Sequence, residues 1–299
     1  MGRATANAVR GSGPPSWDPT DRIIQGDALE VLRALPERSV HLAVTSPPYN
    51  VGIAYAGYAD DRGHDEYLAW LGQVWQALHR VLVEGGRFAL NVAPTSIKDF
   101  RPIHHDLTRG LRDLGYIMRT EIIWYKQTMG RRTAWGSWRS PANPHIIPSW
   151  EYVLVFSKGT WRLPGARAEI DITAQEFRDF SDGFWSIRPE RRREGHPAPF
   201  PEELIARLVK FYSYRGNTVL DMFGGTGTVA TVARATGRHF IHIDASPEYC
   251  RQALARVQAT RAPEGVTGVR RPTAVTVMGE AATPPIRRAA GSERGASAR

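Results

Sequence analysis

The chain is poor in thiols and in lysine. One cysteine, Cys250, stands among 299 residues. That excludes a disulfide framework and a cysteine-cluster metal site, and it fits a reducing cytoplasm. The surrounding SPEYCRQALARV has the spacing of an amphipathic helix, so Cys250 is expected to pack in a core rather than act as a nucleophile. Lysine occurs four times (Lys98, Lys126, Lys158, Lys210), and arginine supplies the rest of the 39 basic residues. No apolar run approaches the ~20 residues of a membrane helix. The N-terminal stretch holds no apolar segment suited to a signal peptide. Acids are outnumbered, leaving a net charge of +9 and a pI of about 10.0. This balance suits a polyanionic partner. Arginine is also enriched by GC-rich coding, so charge alone only permits nucleic acid.

Hydrophobic residues make up 42% and charged residues 23%, the proportions of an ordinary globular protein. Residues 1–20, rich in Gly, Pro, Ser and Ala, read as a disordered leader. Short strands are expected at 22–28 and 41–46, with a helix at 28–36 between them. A strongly amphipathic helix over 65–82 should end at Gly85-Gly86, followed by a strand at 87–93 and a helix at 104–115. Strands at 119–127 and 150–159 flank the irregular stretch 127–149, and 160–195 is also irregular. A helix at 201–213 leads to strand 217–223, helix 227–237, strand 239–245 and helix 246–260. From 261 to 299 no period survives, so this reads as a disordered basic tail. The alternation predicts one domain, residues 21–260, with a mainly parallel sheet covered on both faces.

Two motifs carry chemistry. Phe223-Gly224-Gly225-Thr226-Gly227 follows a buried strand and opens a helix. Glycines let a backbone approach a ligand closely, and a helix N-terminus offers free N–H groups. Asp244 ends the next strand, about 20 residues on, where Rossmann-like folds place a carboxylate on ribose hydroxyls. As a bare pattern, such a turn is also a plain structural connection. Thr45-Ser46-Pro47-Pro48-Tyr49-Asn50 sits at a strand end, where open α/β sheets put their active sites. Its prolines fix the backbone and remove two donors, leaving carbonyls directed outward. Asp27 is as readily the cap of helix 28–36 as a ligand group.

The spelling of these motifs adds a resemblance. F-G-G-T-G resembles the F-x-G-x-G of S-adenosylmethionine-dependent methyltransferases. S-P-P-Y resembles the S/D/N-P-P-Y/F/W of amino-methyltransferases. His196-Pro197-Ala198-Pro199-Phe200-Pro201 resembles the H-P-x-x-x-P segment before the glycine loop in the beta-class DNA amino-methyltransferases. The three motifs also stand in the order of that class, catalytic motif first, across residues 22–260. The resemblance implies an α/β fold, a circularly permuted S-adenosylmethionine-dependent methyltransferase (Rossmann-like) fold with a seven-stranded, mostly parallel sheet. It implies S-adenosyl-L-methionine as cofactor and no metal. Phe223, Gly224, Gly225, Thr226 and Gly227 would hold its methionine part, Asp221 its charged end, Asp244 its ribose and Asp27 its adenine. His196, Pro197, Phe200 and Pro201 would flank the methionine end. Ser46 and the Pro47 carbonyl would accept hydrogen bonds from the target amino group, Pro48 would stiffen the turn, and Tyr49 would stack on a base swung out of the duplex.

The partner implied is double-stranded DNA, read by two loops. Residues 127–149 hold Arg131, Arg132 and Arg139 interleaved with Trp135 and Trp138, a mixture suited to phosphates and displaced bases; the alternative is a surface loop whose tryptophans pack on the domain. Residues 160–195 end in Arg188, Arg191, Arg192 and Arg193. Within the resemblance, serine rather than aspartate at the first motif position, here Ser46, implies cytosine N4 over adenine N6 as the target. A cognate restriction endonuclease is a candidate partner, no membrane is implied, and the expected state is a monomer or homodimer. The contrasting reading is a DNA-binding protein that keeps the fold without catalysis.

Overall fold

A computed structural model describes residues 18–48, 63–94, 101–127, 136–146, 148–190, 200–264, 266 and 268–278. The strands are β1 (Arg22–Gln25), β2 (Val40–Thr45), β3 (Leu82–Val92), β4 (Tyr116–Tyr125), β5 (Trp150–Lys158), β6 (Phe184–Ser186), β7 (Thr218–Asp221), β8 (His239–Asp244) and β9 (Val275–Val277). They join in one sheet in the order β6-β4-β5-β3-β2-β7-β8-β1-β9. Within this sheet the pairings of β5, with β3 and with β4, are antiparallel and the others parallel. The sheet is therefore mostly parallel, as expected, but has nine strands among the described residues rather than seven. The additions are the three-residue edge strands β6 and β9.

Helices α1 (Ala28–Ala34), α2 (His64–Val81) and α3 (Ile103–Asp113) cover one face; α5 (Glu202–Tyr212), α6 (Thr228–Ala235) and α7 (Pro247–Ala259) cover the other, and α4 (Ala174–Phe180) lies between the two sets in the chain. The alternation of β8 shows why both faces must be covered. Ile241 and Ile243 enter the first core, beside Leu71, Trp75 and Phe88, whereas Phe240 enters the second, beside Leu208, Val229 and Cys250. A strand buried on both sides reads as a nearly continuous apolar run. All four residues of β7 are buried. Cys250 is buried in the second core, and desolvation pushes its thiol up to about 12, so it stays an inert packing residue.

Three expectations need correction. Helix α2 stops at Val81, and Gly85-Gly86 lies inside β3 instead of ending the helix. Gly85 has φ +71, and a Cβ there would lie 2.0 Å from the Arg162 carbonyl oxygen; this glycine admits a crossing chain. Residues 160–190 are not irregular throughout. They hold a 3-10 turn (Arg167–Glu169), α4 and β6, with Trp185 and Ile187 buried. Beyond 261 the sequence predicts no packing, yet the chain docks as far as Met278. β9 extends the sheet beside β1, and the Met278 N–H donates to the Gln25 carbonyl at 2.9 Å. Arg234 holds the Arg270 carbonyl at 2.7 Å, and Asp21 accepts from the Arg270 N–H at 2.8 Å. Of the expected leader (1–20), residues 1–17 lie outside the described residues, as does the rest of the tail (279–299), whereas Asp18 accepts from the Thr20 N–H at 2.9 Å.

Candidate active site

Neighbouring parallel strands bring the two motifs together at one edge of the sheet. β2 pairs with β7 (Ala43↔Leu220), so Ser46-Pro47-Pro48 leaves the sheet beside Asp221 and the glycine loop. The Thr45 hydroxyl donates to Asp221 Oδ1 at 2.6 Å in a buried bond between residues 176 apart. The Phe223 N–H donates to the same oxygen at 3.1 Å. Burial pushes the Asp221 carboxyl up to about 7, and neighbouring Asp244 adds to the rise, against the lowering effect of those two hydrogen bonds. Near neutrality Asp221 is thus poised between its two forms, a property common in functional clefts.

Asp244 ends β8 and organises the loop. Its Oδ2 accepts from the Gly225 N–H and its Oδ1 from the Ser246 N–H, each at 2.8 Å. Burial raises its pKa, against those bonds. The Gly26 N–H donates to the Asp244 carbonyl at 3.0 Å and brings the end of β1 to the same edge. Asp27 is exposed, and its carboxylate accepts from the Leu29 and Glu30 N–H groups at 2.9 and 3.0 Å. It therefore caps α1, the alternative role its position allowed.

The glycine loop fits a ligand that needs close backbone approach. Gly225 and Gly227 have φ +50 and +82, and Gly227 begins α6 with no side-chain cap among the described residues. Those first N–H groups can meet a polar ligand. Arg256 of α7 braces the loop, donating to the Thr226 carbonyl at 2.9 Å and to the Thr228 hydroxyl at 3.1 Å. It also pairs with Glu202 at 2.9 Å, tying the loop to the start of α5. There Pro201 is the N-cap residue and Phe200 packs, half-buried, against the second core. His196, Pro197 and the stacking candidate Tyr49 lie outside the described residues.

Sequence reasoning passed over two aromatic residues of α2. The Tyr67 hydroxyl donates to the Pro48 carbonyl at 2.6 Å, so one carbonyl expected to face outward is held by the fold. Trp70 lies 6.1 Å from the Tyr67 ring and 5.7 Å from the Phe223 ring, joining the helix that holds the Ser46-Pro47-Pro48 turn to the glycine loop. A buried tyrosine on an amphipathic stripe needs a hydroxyl partner, and that signal is present in the sequence. Also missed were Asn91, Glu151 and Lys126, which form a polar cluster at this same edge.

The proposed DNA-reading residues divide. Trp138 is 69% exposed on a loop closed by a Gly136–Pro144 bridge, and Arg139 beside it is exposed too. Arg188 is exposed and its Nε donates to Gln127 at 3.2 Å, linking the ends of both loops. Arg131, Arg132, Trp135, Arg191, Arg192 and Arg193 lie outside the described residues. No group of side chains suited to a metal ion occurs among the described residues.

Known proteins resemble this chain in sequence and fold. Residues 40–255 match the N6/N4 methyltransferase family of DNA methylases. The type II methyltransferase M.MjaVI of Methanocaldococcus jannaschii is 37% identical over 173 residues, 58% of this chain and 88% of the relative. The DNA adenine methyltransferase YhdJ of Escherichia coli is 29% identical over 253 residues, 79% of this chain and 82% of the relative. The Thermus thermophilus protein TTHA0409, solved in complex with S-adenosyl-L-methionine, superposes with a TM-score of 0.63 at 33% identity, covering 78% of this chain and 92% of that one. With its family match spanning both motifs and the strands that carry them, the chain belongs to the N6/N4 DNA methylase family.

Proposed function

We propose that this chain transfers a methyl group from S-adenosyl-L-methionine to the N4 amino group of a cytosine swung out of duplex DNA. The observation that carries the reading is the buried Thr45–Asp221 bond. It holds the Ser46-Pro47-Pro48 turn against the glycine loop, so a base and a cofactor bound at their own motifs would meet. The glycine loop, α6 and Asp244 fit a nucleoside cofactor, and TTHA0409 binds S-adenosyl-L-methionine in the same fold. That cofactor supplies an electrophilic methyl group. The chain's own residues then have to position and desolvate an amino group, a task of orientation more than of acid–base chemistry.

The choice of base rests on Ser46. A hydroxyl offers a neutral acceptor, whereas a carboxylate accepts more strongly and brings charge. The two target amino groups are chemically similar, so it is the resemblance to serine-type amino-methyltransferases, which more often act on cytosine N4, that supports this base. The adenine methyltransferase YhdJ among the relatives supports a second reading, adenine N6. Mass spectrometry of nucleosides from methylated plasmid DNA separates them. N4-methylcytosine is the expected product; N6-methyladenine as the main product would reverse the choice of base and leave the family membership standing.

A further inference from the structure

Apolar packing is interrupted at one edge by three polar side chains on neighbouring strands. Asn91 lies on β3, Glu151 on β5, and Lys126 immediately after β4. Asn91 Nδ2 donates to Glu151 Oε2 at 2.6 Å, and Lys126 Nζ pairs with Glu151 Oε1. Lys126 is fixed further by the Trp124 ring, 4.9 Å from its ammonium, and by its N–H bond to the Ser149 carbonyl at 2.8 Å. Asn91 is 2% and Glu151 6% exposed, with apolar neighbours on their strands, among them Leu90, Val92 and Val153. Stability does not explain the cluster, because apolar residues of similar volume often replace a buried ion pair at no cost. Its position does. The β2–β3 ladder ends on the pair Thr45 and Leu90, so Ser46 and Asn91 are the residues that directly follow this last pair on the two neighbouring chains.

A serine at the catalytic position has a defect that a carboxylate lacks. Its hydroxyl both donates and accepts, and it accepts from a target amino group only when its own hydrogen is directed elsewhere. An ionised carboxylate accepts only, so Asn91 must present its nitrogen to Glu151. That choice fixes where the Asn91 carbonyl points. Donation to an anion also makes this carbonyl a stronger acceptor.

We propose that Lys126, Glu151 and Asn91 are positioning residues whose relay ends on Ser46. With DNA bound, the Asn91 carbonyl takes the Ser46 hydroxyl hydrogen, leaving the Ser46 oxygen as an acceptor for the target amino group. This rests on the amino-methyltransferase reading above and adds three residues to it. In the step itself the amino nitrogen's lone pair forms the new N–C bond while the methyl–sulfur bond breaks, its electron pair passing to sulfur. The surplus proton on nitrogen leaves to water. Because the relay acts on the amino group's approach to this state, its loss should lower kcat and spare cofactor affinity.

The test measures methyl incorporation into plasmid DNA at saturating cofactor and DNA, with melting temperature and calorimetric S-adenosyl-L-methionine affinity measured on the same proteins. Glu151→Gln and Asn91→Ala should each lower kcat by about ten- to a hundredfold, the loss expected for a hydrogen bond to a charged group. Their double variant should fall no further than Asn91→Ala alone, since both break one chain. Lys126→Arg should retain kcat where Lys126→Met loses it. Unchanged kcat in Glu151→Gln or Asn91→Ala would overturn the proposal. So would a multiplicative double variant, or a loss matched by falling cofactor affinity. A wild-type protein that methylates no DNA would instead refute the proposed function, a distinct result.

Discussion

His242 and Gly224 are bound to one another by space. A Cβ on Gly224 would lie 2.2 Å from His242 Nδ1, so the ring fills the place a side chain would take. The second position of F-x-G-x-G asks for no glycine; here the imidazole beneath the loop imposes one. Neither ring nitrogen has a partner among the described residues, and burial, with the charge of Arg256, pushes the pKa down to about 3. The ring is therefore a neutral spacer at working pH. Gly224→Ala should destabilise the protein by about 1–3 kcal/mol, the usual effect of overpacking. Adding His242→Gly should recover most of that loss, which urea melts of the four proteins in the cycle will show; simple additivity would sink the idea. Asp221 gives a second prediction at this scale. Its carboxyl ionises near 3.8 when unfolded and at about 7 when folded. Between those values the folded chain keeps a proton that the unfolded chain has released, so this contribution falls as pH rises from about 4 to about 7 and is level above. Ionised Asp221 also attracts a cationic cofactor. Calorimetry should thus find S-adenosyl-L-methionine bound more tightly at pH 8 than at pH 6, and Asp221→Asn should flatten that difference. Equal slopes in the two proteins would remove Asp221 from the site.

Elements are legible in the sequence in proportion to the apolar surface they bury. Helix α2 hides Leu71, Val74, Trp75, Leu78 and Val81 at helical spacing, and its extent is evident to within a residue. Helix α4 buries none of its residues, so no stripe marks it. Its one signal is the capping box of Thr173 and Glu176, a T-x-x-E spelling. β9 is still harder to see, because a three-residue edge strand is held by backbone bonds that any sequence can make. The motifs at the strand ends are plain by spelling; the Tyr67 and Asn91 contacts are not, since they depend on which strands lie side by side. The docked segment carries the third prediction. A chain ending at Arg261 loses β9 and the Arg270 contacts with Asp21 and Arg234. Its melting temperature should fall by roughly 5 °C or more, given the few degrees that 1 kcal/mol moves a domain of this size. A chain ending at Met278 should melt with the full-length protein. Equal melting of the chain ending at Arg261 would show that the segment adds nothing.

At the scale of the whole molecule, order in the chain and order in space diverge. The Ser46-Pro47-Pro48 turn is read before residue 50 and the glycine loop after residue 220, yet β2 and β7 are neighbours in the sheet. Their junction depends on long-range closure, so the site exists only when the central strands have paired. Charge is the other global property. The excess of +9 is carried almost wholly by arginine, and arginine meets phosphates bidentately. If that excess serves DNA, affinity for duplex of arbitrary sequence should fall steeply with salt as condensed counterions return to the phosphates. About six neutralised phosphates would cost roughly a thousandfold in affinity between 50 and 200 mM salt. Ending the chain at Met278 removes Arg287, Arg288, Arg294 and Arg299 together with Glu280 and Glu293. Because this cut spares β9 and both motifs, it should lower the salt slope and low-salt affinity while leaving kcat on plasmid DNA intact. Fluorescence anisotropy across a salt series reads the slope directly. A full-length protein whose DNA affinity hardly changes with salt would mean that the arginine excess reflects coding bias, and that the exposed loop of Trp138 and Arg139 carries DNA contact by stacking.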